Sequence, residues 1–156
     1  MNEYNTPFLH RKITYLNRVG KLFRGTIMDN LSAFDEQLIP VARRLVDRLG
    51  LNAILSKLPS GYDTYVGEKA VEALPGGVLN LIFIIRALVG KPKIIIYDEA
   101  NINLDTQYTQ NMLDLLEHLK DQATVIVFVN KKTTLPLMDC NFELTATSLT
   151  RVEHAA

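Results

Sequence analysis

A chain of 156 residues that is 47% hydrophobic and 22% charged is long enough to bury a core of its own and too apolar to be disordered, so one domain is expected. Its 17 basic and 17 acidic residues cancel to a formal charge of zero, so no net field recruits nucleic acid or an anionic bilayer. The single cysteine, Cys140, excludes an internal disulfide and a multi-cysteine metal centre, and it reads as a small packed residue in a reducing compartment.

The stretch Met1 to Pro7 lacks the basic start and apolar core of a secretory signal. Further on, Leu38, Val41, Ala42, Leu45, Val46 and Leu49 recur at helical spacing after Asp35-Glu36, with Gly50 where a left-handed stop is expected. That helix should bury one stripe and solvate Arg43, Arg44, Asp47 and Arg48. A second helix, about Asn52 to Leu58, meets the turn signal Pro59-Ser60-Gly61 and an irregular stretch through Glu68. The run Val78 to Val89 is apolar on every side and shorter than a bilayer demands. It carries Asn80 and Arg86, and predicts a helix that is enclosed, by a partner chain or by local repacking.

Near residue 90 the hydrophobic period changes. Ile94-Ile95-Ile96-Tyr97 reads as a buried strand ending in two carboxylates, Asp98 and Glu99, at the edge where parallel sheets bind ligands. A helix outlined by Met112, Leu115, Leu116 and Leu119, with Asp105 as its cap, leads to a second β-branched run, Thr124 to Val129. Together they make a βαβ unit, because parallel neighbours need a long crossover. At its strand end Asp98 can hold Mg²⁺ through its waters and Glu99 can orient an attacking water, the division of labour in phosphoryl transfer. A pair of solvated acids is the plainer alternative, and an unrelated metal-dependent hydrolase would need further ligands that the sequence does not supply. Asn141 to Thr147 and Leu149 to Glu153 alternate like two short strands of a hairpin. His10, His118 and His154 have no metal-ligand spacing.

Several segments together resemble the ATPase domain of ABC exporters. Leu22-Phe23-Arg24-Gly25-Thr26-Ile27-Met28-Asp29-Asn30-Leu31 and Leu58-Pro59-Ser60-Gly61-Tyr62-Asp63-Thr64-Tyr65-Val66-Gly67-Glu68 are similar to its helical subdomain. Leu74-Pro75-Gly76-Gly77-Val78, Ile94 to Glu99 and Leu104-Asp105 stand where that family has its signature motif, Walker B strand and D-loop. The wording is most similar to type I secretion and bacteriocin or peptide exporters, over roughly Ile13 to Lys131.

The resemblance implies an α/β fold: an incomplete P-loop NTPase core of mainly parallel strands joined to a helical subdomain. The whole chain, 1–156, would be a partial ABC ATPase domain, with about 28–90 the helical subdomain and about 91–156 the part of the core with Walker B, D-loop and H-loop. It implies catalysis by Glu99, Mg²⁺ at Asp98, and nucleotide contacts from Gly76, Gly77, Asp105 and Asn130. ATP and Mg²⁺ are the family's cofactors. A transmembrane exporter domain and a second nucleotide-binding domain, or another copy, are its partners, at the cytoplasmic side of the cell membrane. Thr64 to Glu68 matches the stretch that faces the membrane domain.

The departures are specific. No G-x-x-x-x-G-K-[ST] occurs, so the backbone cradle and lysine for the β- and γ-phosphates are missing. The strand Ile13 to Leu16 leads to Arg18 where the family has its Q-loop glutamine, and a guanidinium only donates. Pro75 replaces the signature serine and removes a backbone N–H, and Asn130 replaces the histidine that follows the later strand. This chain alone is not expected to bind ATP in the usual way, nor to turn it over. Two functions remain open: the carboxy-terminal part of an exporter ATPase domain, or a pseudo-ATPase interaction module docking through the Val78 to Val89 helix.

Overall fold

The structure, a computed structural model, describes residues 12–16, 21–67, 74–98, 104, 106–129 and 138–152. In chain order the elements are β1 (Ile13–Leu16), β2 (Gly25–Thr26), α1 (Ile27–Leu31), α2 (Ile39–Leu49), α3 (Asn52–Leu55) and β3 (Tyr65–Val66). Then follow α4 (Gly76–Leu88), β4 (Ile94–Asp98), α5 (Thr106–Leu119), β5 (Thr124–Phe128), β6 (Asn141–Leu144) and β7 (Leu149–Val152). This is the expected α/β arrangement with a parallel sheet.

That sheet has the order β1-β4-β5, with Ile13 level with Ile94 and Ile94 level with Thr124. The connections β1→β4 and β4→β5 step across it in the same direction. Right-handed crossovers that step the same way put their helices on one face. On that face Leu16, Ile95 and Tyr97 are buried in a core shared with α4 and α5, and Val125 and Val127 pack against it. Their strand neighbours point the other way and stay uncovered: Ile13 is 40% exposed, Tyr15 47%, Ile126 42% and Phe128 50%.

The helical part is shaped by local capping. The Thr26 hydroxyl accepts the Asp29 N–H at 3.0 Å while Asp29 Oδ2 accepts the Thr26 N–H at 2.8 Å, a reciprocal box that starts α1. Asp35 caps the 3₁₀ turn Glu36–Leu38 by accepting from the Gln37 N–H at 2.9 Å. α2 carries Pro40 in its first turn and stops at Gly50, φ 74°. It buries Ala42, Leu45, Val46 and Leu49 and exposes Arg43, Arg44, Asp47 and Arg48, as the spacing predicts.

Four expectations need correction. α3 ends at Leu55 rather than near Leu58, because Lys57 and Leu58 donate to Ile54 and Leu55 in three-residue turns that do not propagate an α-helix. The stretch expected to be irregular contains β3, which pairs antiparallel with β2; two residues are too few to show a period. Gly67 closes it at φ +94°, where a Cβ would lie 2.5 Å from Arg24 Cα. Cys140 is exposed rather than packed, and Arg151 Nη2 donates to its Sγ at 3.6 Å.

The fourth correction bears on function. Of the two ways the Val78 to Val89 helix was expected to be enclosed, by a partner chain or by local packing, α4 shows the second, so the docking surface of the interaction module is not found there. Val78, Leu81, Ile82, Ile84, Ile85 and Leu88 are buried, with α4 packed against α1, α2 and β1. Its all-round apolarity reflects neighbours on several sides. The hairpin β6-β7 forms within the expected span, closed by Thr145 donating to the Ser148 carbonyl at 2.9 Å. Its Phe142, Leu144 and Leu149 are well exposed.

Candidate functional site

Asp98 is the last residue of β4, level with Phe128 at the end of β5 and so on the carboxyl rim of the sheet. It lies on the uncovered face with Ile94 and Ile96, and is partly exposed. Tyr15 is level with Ile96, which makes it the diagonal neighbour of Asp98 on that face. Its hydroxyl donates to Asp98 Oδ2 at 2.9 Å. Sequence reasoning singled out Asp98 and missed Tyr15; the signal was parity, since Tyr15 belongs to the same alternate set as the strand-end acid once β1 and β4 are aligned.

Among the described residues no group of three or more His, Cys, Asp and Glu could hold a metal ion. One carboxylate at a strand end fits the way Mg²⁺ is usually held with a nucleotide, through one or two acids, retained waters and the phosphates themselves.

The second cluster is the start of α4. Pro75 is its N-cap residue, without a side-chain capping bond, and its carbonyl accepts from the Val78 and Leu79 N–H groups. Gly76 is exposed and Gly77 half-buried, and a Cβ at either would meet nothing within 4 Å. Nothing inside the described chain requires glycine at these two positions.

A polar hub missed by sequence reasoning holds α4 to the segment before α1. Asn30, fully buried, donates from Nδ2 to the carbonyls of Phe23 at 2.9 Å and Thr26 at 3.0 Å. Its Oδ1 accepts the Phe23 N–H at 2.8 Å and Arg86 Nη1 at 3.2 Å. Arg86 Nη2 donates to the Lys21 carbonyl at 3.0 Å, and the guanidinium lies 4.6 Å from the Phe23 ring centre and 5.3 Å from that of Phe83. Burial pulls the Arg86 pKa below its ordinary value. The signal was an arginine and an asparagine in apolar surroundings, which must find partners.

Of the sequence-derived site residues, Asp98, Gly76 and Gly77 are described, on two different elements. Glu99, Asp105, Asn130 and Arg18 lie outside the described residues, as does Glu68. His118 is exposed and shares a 3.3 Å contact with Arg48 Nη2, in keeping with a locally bonded side chain.

No family profile matches the chain. Comparison with individual proteins is decisive where the profile is silent. Multidrug resistance protein 1 of Entamoeba histolytica is 33% identical over 143 residues, covering 86% of this chain and 11% of that protein. The probable microcin-H47 secretion/processing ATP-binding protein MchF of Escherichia coli is 33% identical over 135 residues, 83% of this chain and 18% of that protein. A bacterial Atm1-family ABC exporter solved with ATP bound superposes with a TM-score of 0.63 and 25% identity, over 80% of this chain and 22% of that one. The chain belongs to the ABC exporter family, and it spans about a tenth to a fifth of the length of these relatives.

Proposed function

We propose that this chain is the carboxy-terminal part of the ATP-binding domain of an ABC exporter, coupling ATP binding and hydrolysis to export of a peptide or protein. In this reading residues about 28–90 are the helical subdomain and about 91–156 part of the nucleotide-hydrolysing core. The observation that carries it is the rim of a parallel sheet covered on one face only, with Asp98 at its carboxyl end. A parallel sheet is stable when both faces are covered. The uncovered face calls for a further βα segment, and the phosphate-binding loop absent from the sequence belongs on such a segment.

Asp98 then holds Mg²⁺ through its waters, and Glu99 orients the attacking water. Gly76 and Gly77, free of steric demands from within, let the backbone at the start of α4 approach the nucleotide of a facing domain. Pro75 weakens that contact by removing one N–H, Asp105 helps communicate across the dimer, and Asn130 supplies a neutral hydrogen bond. The partners are a transmembrane exporter domain, which Thr64 to Glu68 faces, and a second nucleotide-binding domain. The location is the cytoplasmic side of the membrane; among the described residues no helix is long and apolar enough to cross it. Such a site is degenerate and inactive in this chain alone.

The direct test is ATP turnover by the longest natural polypeptide that contains this sequence, with and without Glu99→Gln. Turnover that falls at least a hundredfold supports the catalytic reading, and no turnover to lose would sink it. The second reading, a pseudo-ATPase interaction module, is favoured by the altered positions Arg18, Pro75 and Asn130 together with the exposed apolar sheet face. Saturable calorimetric binding of Mg²⁺-ATP would count against that module.

A further inference from the structure

We infer that Tyr15 is a positioning residue for the metal-holding carboxylate, its phenol fixing Asp98 in the orientation from which the acid meets Mg²⁺-nucleotide. The inference deepens the reading above and rests on it. Its basis is register: β1 and β4 run parallel with Tyr15 level with Ile96, so the phenol leans along the strand direction toward the residue two further on. The hydroxyl reaches Asp98 Oδ2 at 2.9 Å, a good neutral-donor distance to a carboxylate.

A carboxylate offers about four lone-pair sites on its two oxygens, so one phenol bond occupies a single acceptor position and leaves the charge of the group intact. What the bond removes is rotation. Asp98 ends its strand on a face that no other described element covers, and the phenol bond adds to what restrains its rotamer. Ligating carboxylates are commonly fixed by such outer partners, and loss of one costs about ten- to a hundredfold in metal affinity. The phenol also does this without charge, so it does not compete with the cation as Lys or Arg at that position would. Tyr15 is 47% exposed, on a patch shared with Ile13, Ile126 and Phe128.

The test is NMR on the longest natural polypeptide that contains this sequence, with ¹³C at the tyrosine ζ and aspartate γ carbons. Mn²⁺-ATP, with Mn²⁺ in place of Mg²⁺, is titrated while broadening of the Asp98 signal is followed. We expect broadening in the wild type with a midpoint about tenfold higher in Tyr15→Phe, and a Tyr15 ζ signal that moves in Asp98→Ala. A purely structural tyrosine would change thermal stability without moving the Mn²⁺-ATP midpoint. Equal midpoints in wild type and Tyr15→Phe overturn the positioning role and leave the nucleotide reading standing. No broadening of Asp98 in the wild type at any concentration overturns both. A Tyr15 signal unchanged in Asp98→Ala overturns the hydrogen bond on which the inference is built.

Discussion

The two faces of the β1-β4-β5 sheet have nearly the same composition and opposite fates. Leu16, Ile95 and Tyr97 are at most 2% exposed, while Ile13, Tyr15, Ile126 and Phe128, one residue away along the same strands, are each at least 40% exposed. Residue type cannot account for this. The difference comes from topology: both crossovers step the same way, so α4 and α5 share one side and nothing among the described residues is layered on the other. Among the described residues one face of the sheet is covered, and Asp98 lies on the other.

The largest expected effect separates the two faces directly. Leu81→Ala, at a fully buried α4 position, should destabilise the chain by about 2–5 kcal/mol in urea unfolding, from lost transfer energy plus the cavity left behind. Phe128→Ser on the uncovered face should cost less than about 1 kcal/mol, since much of its ring already meets water. The same substitution should lower self-association in a light-scattering dilution series, because it breaks an apolar patch. A Phe128→Ser cost as large as that of Leu81→Ala would mean that this face is covered, and the contrast between faces would be lost.

How much of this was legible in the sequence follows from the same contrast. The run Ile94 to Tyr97 was readable as a strand because β-branched residues in an unbroken apolar run signal burial on both sides. That signal describes the fold in which the sequence evolved and cannot say which covering layers this chain supplies. The α2 stripe and Gly50 were readable to within a residue, since helical period and a left-handed stop are local features. β2 and β3, two residues each, have no period to detect, and the Asn30–Arg86 hub joins residues 56 apart in sequence. α4 was readable as enclosed but not by what, since an apolar circumference does not name the enclosing chain. Asp98, Gly76 and Gly77 were singled out by motif, whereas the hydrogen bond from Tyr15 to Asp98 required strand register.

A smaller effect sharpens the comparison between α4's body, fixed by packing on α1, α2 and β1, and its first turn. Gly77→Ala should stabilise the chain by about 0.5–1 kcal/mol, because a methyl group there meets nothing within 4 Å and the unfolded chain loses freedom. If the diglycine serves close approach by a nucleotide on a facing domain, the same change should weaken ATP turnover of the assembled transporter. Stabilisation without any functional loss would assign the two glycines to chain history alone.

The smallest effect concerns the helical part, where a polar cluster joins α2 and α3 to the turn that follows them. The Tyr62 hydroxyl donates to Asn52 Oδ1 at 2.6 Å, Asn52 Nδ2 donates to Asp47 Oδ1 at 2.6 Å, and the Arg43 guanidinium lies 4.9 Å from the Tyr62 ring centre. Burial raises the Tyr62 pKa above its ordinary value, the Arg43 charge opposes this, and the Asp47 charge adds to it. Because the folded chain then holds the phenolic proton more tightly than the unfolded one, the contribution is complete below the unfolded value of about 10. It is lost as pH rises through the folded value. Thermal unfolding followed from pH 9 to 11 should therefore show stability falling with pH, and Tyr62→Phe should flatten that fall while lowering stability slightly at neutral pH through loss of the Asn52 bond. A slope unchanged by Tyr62→Phe would place the alkaline sensitivity elsewhere, and the polar cluster would then be no more than a surface network.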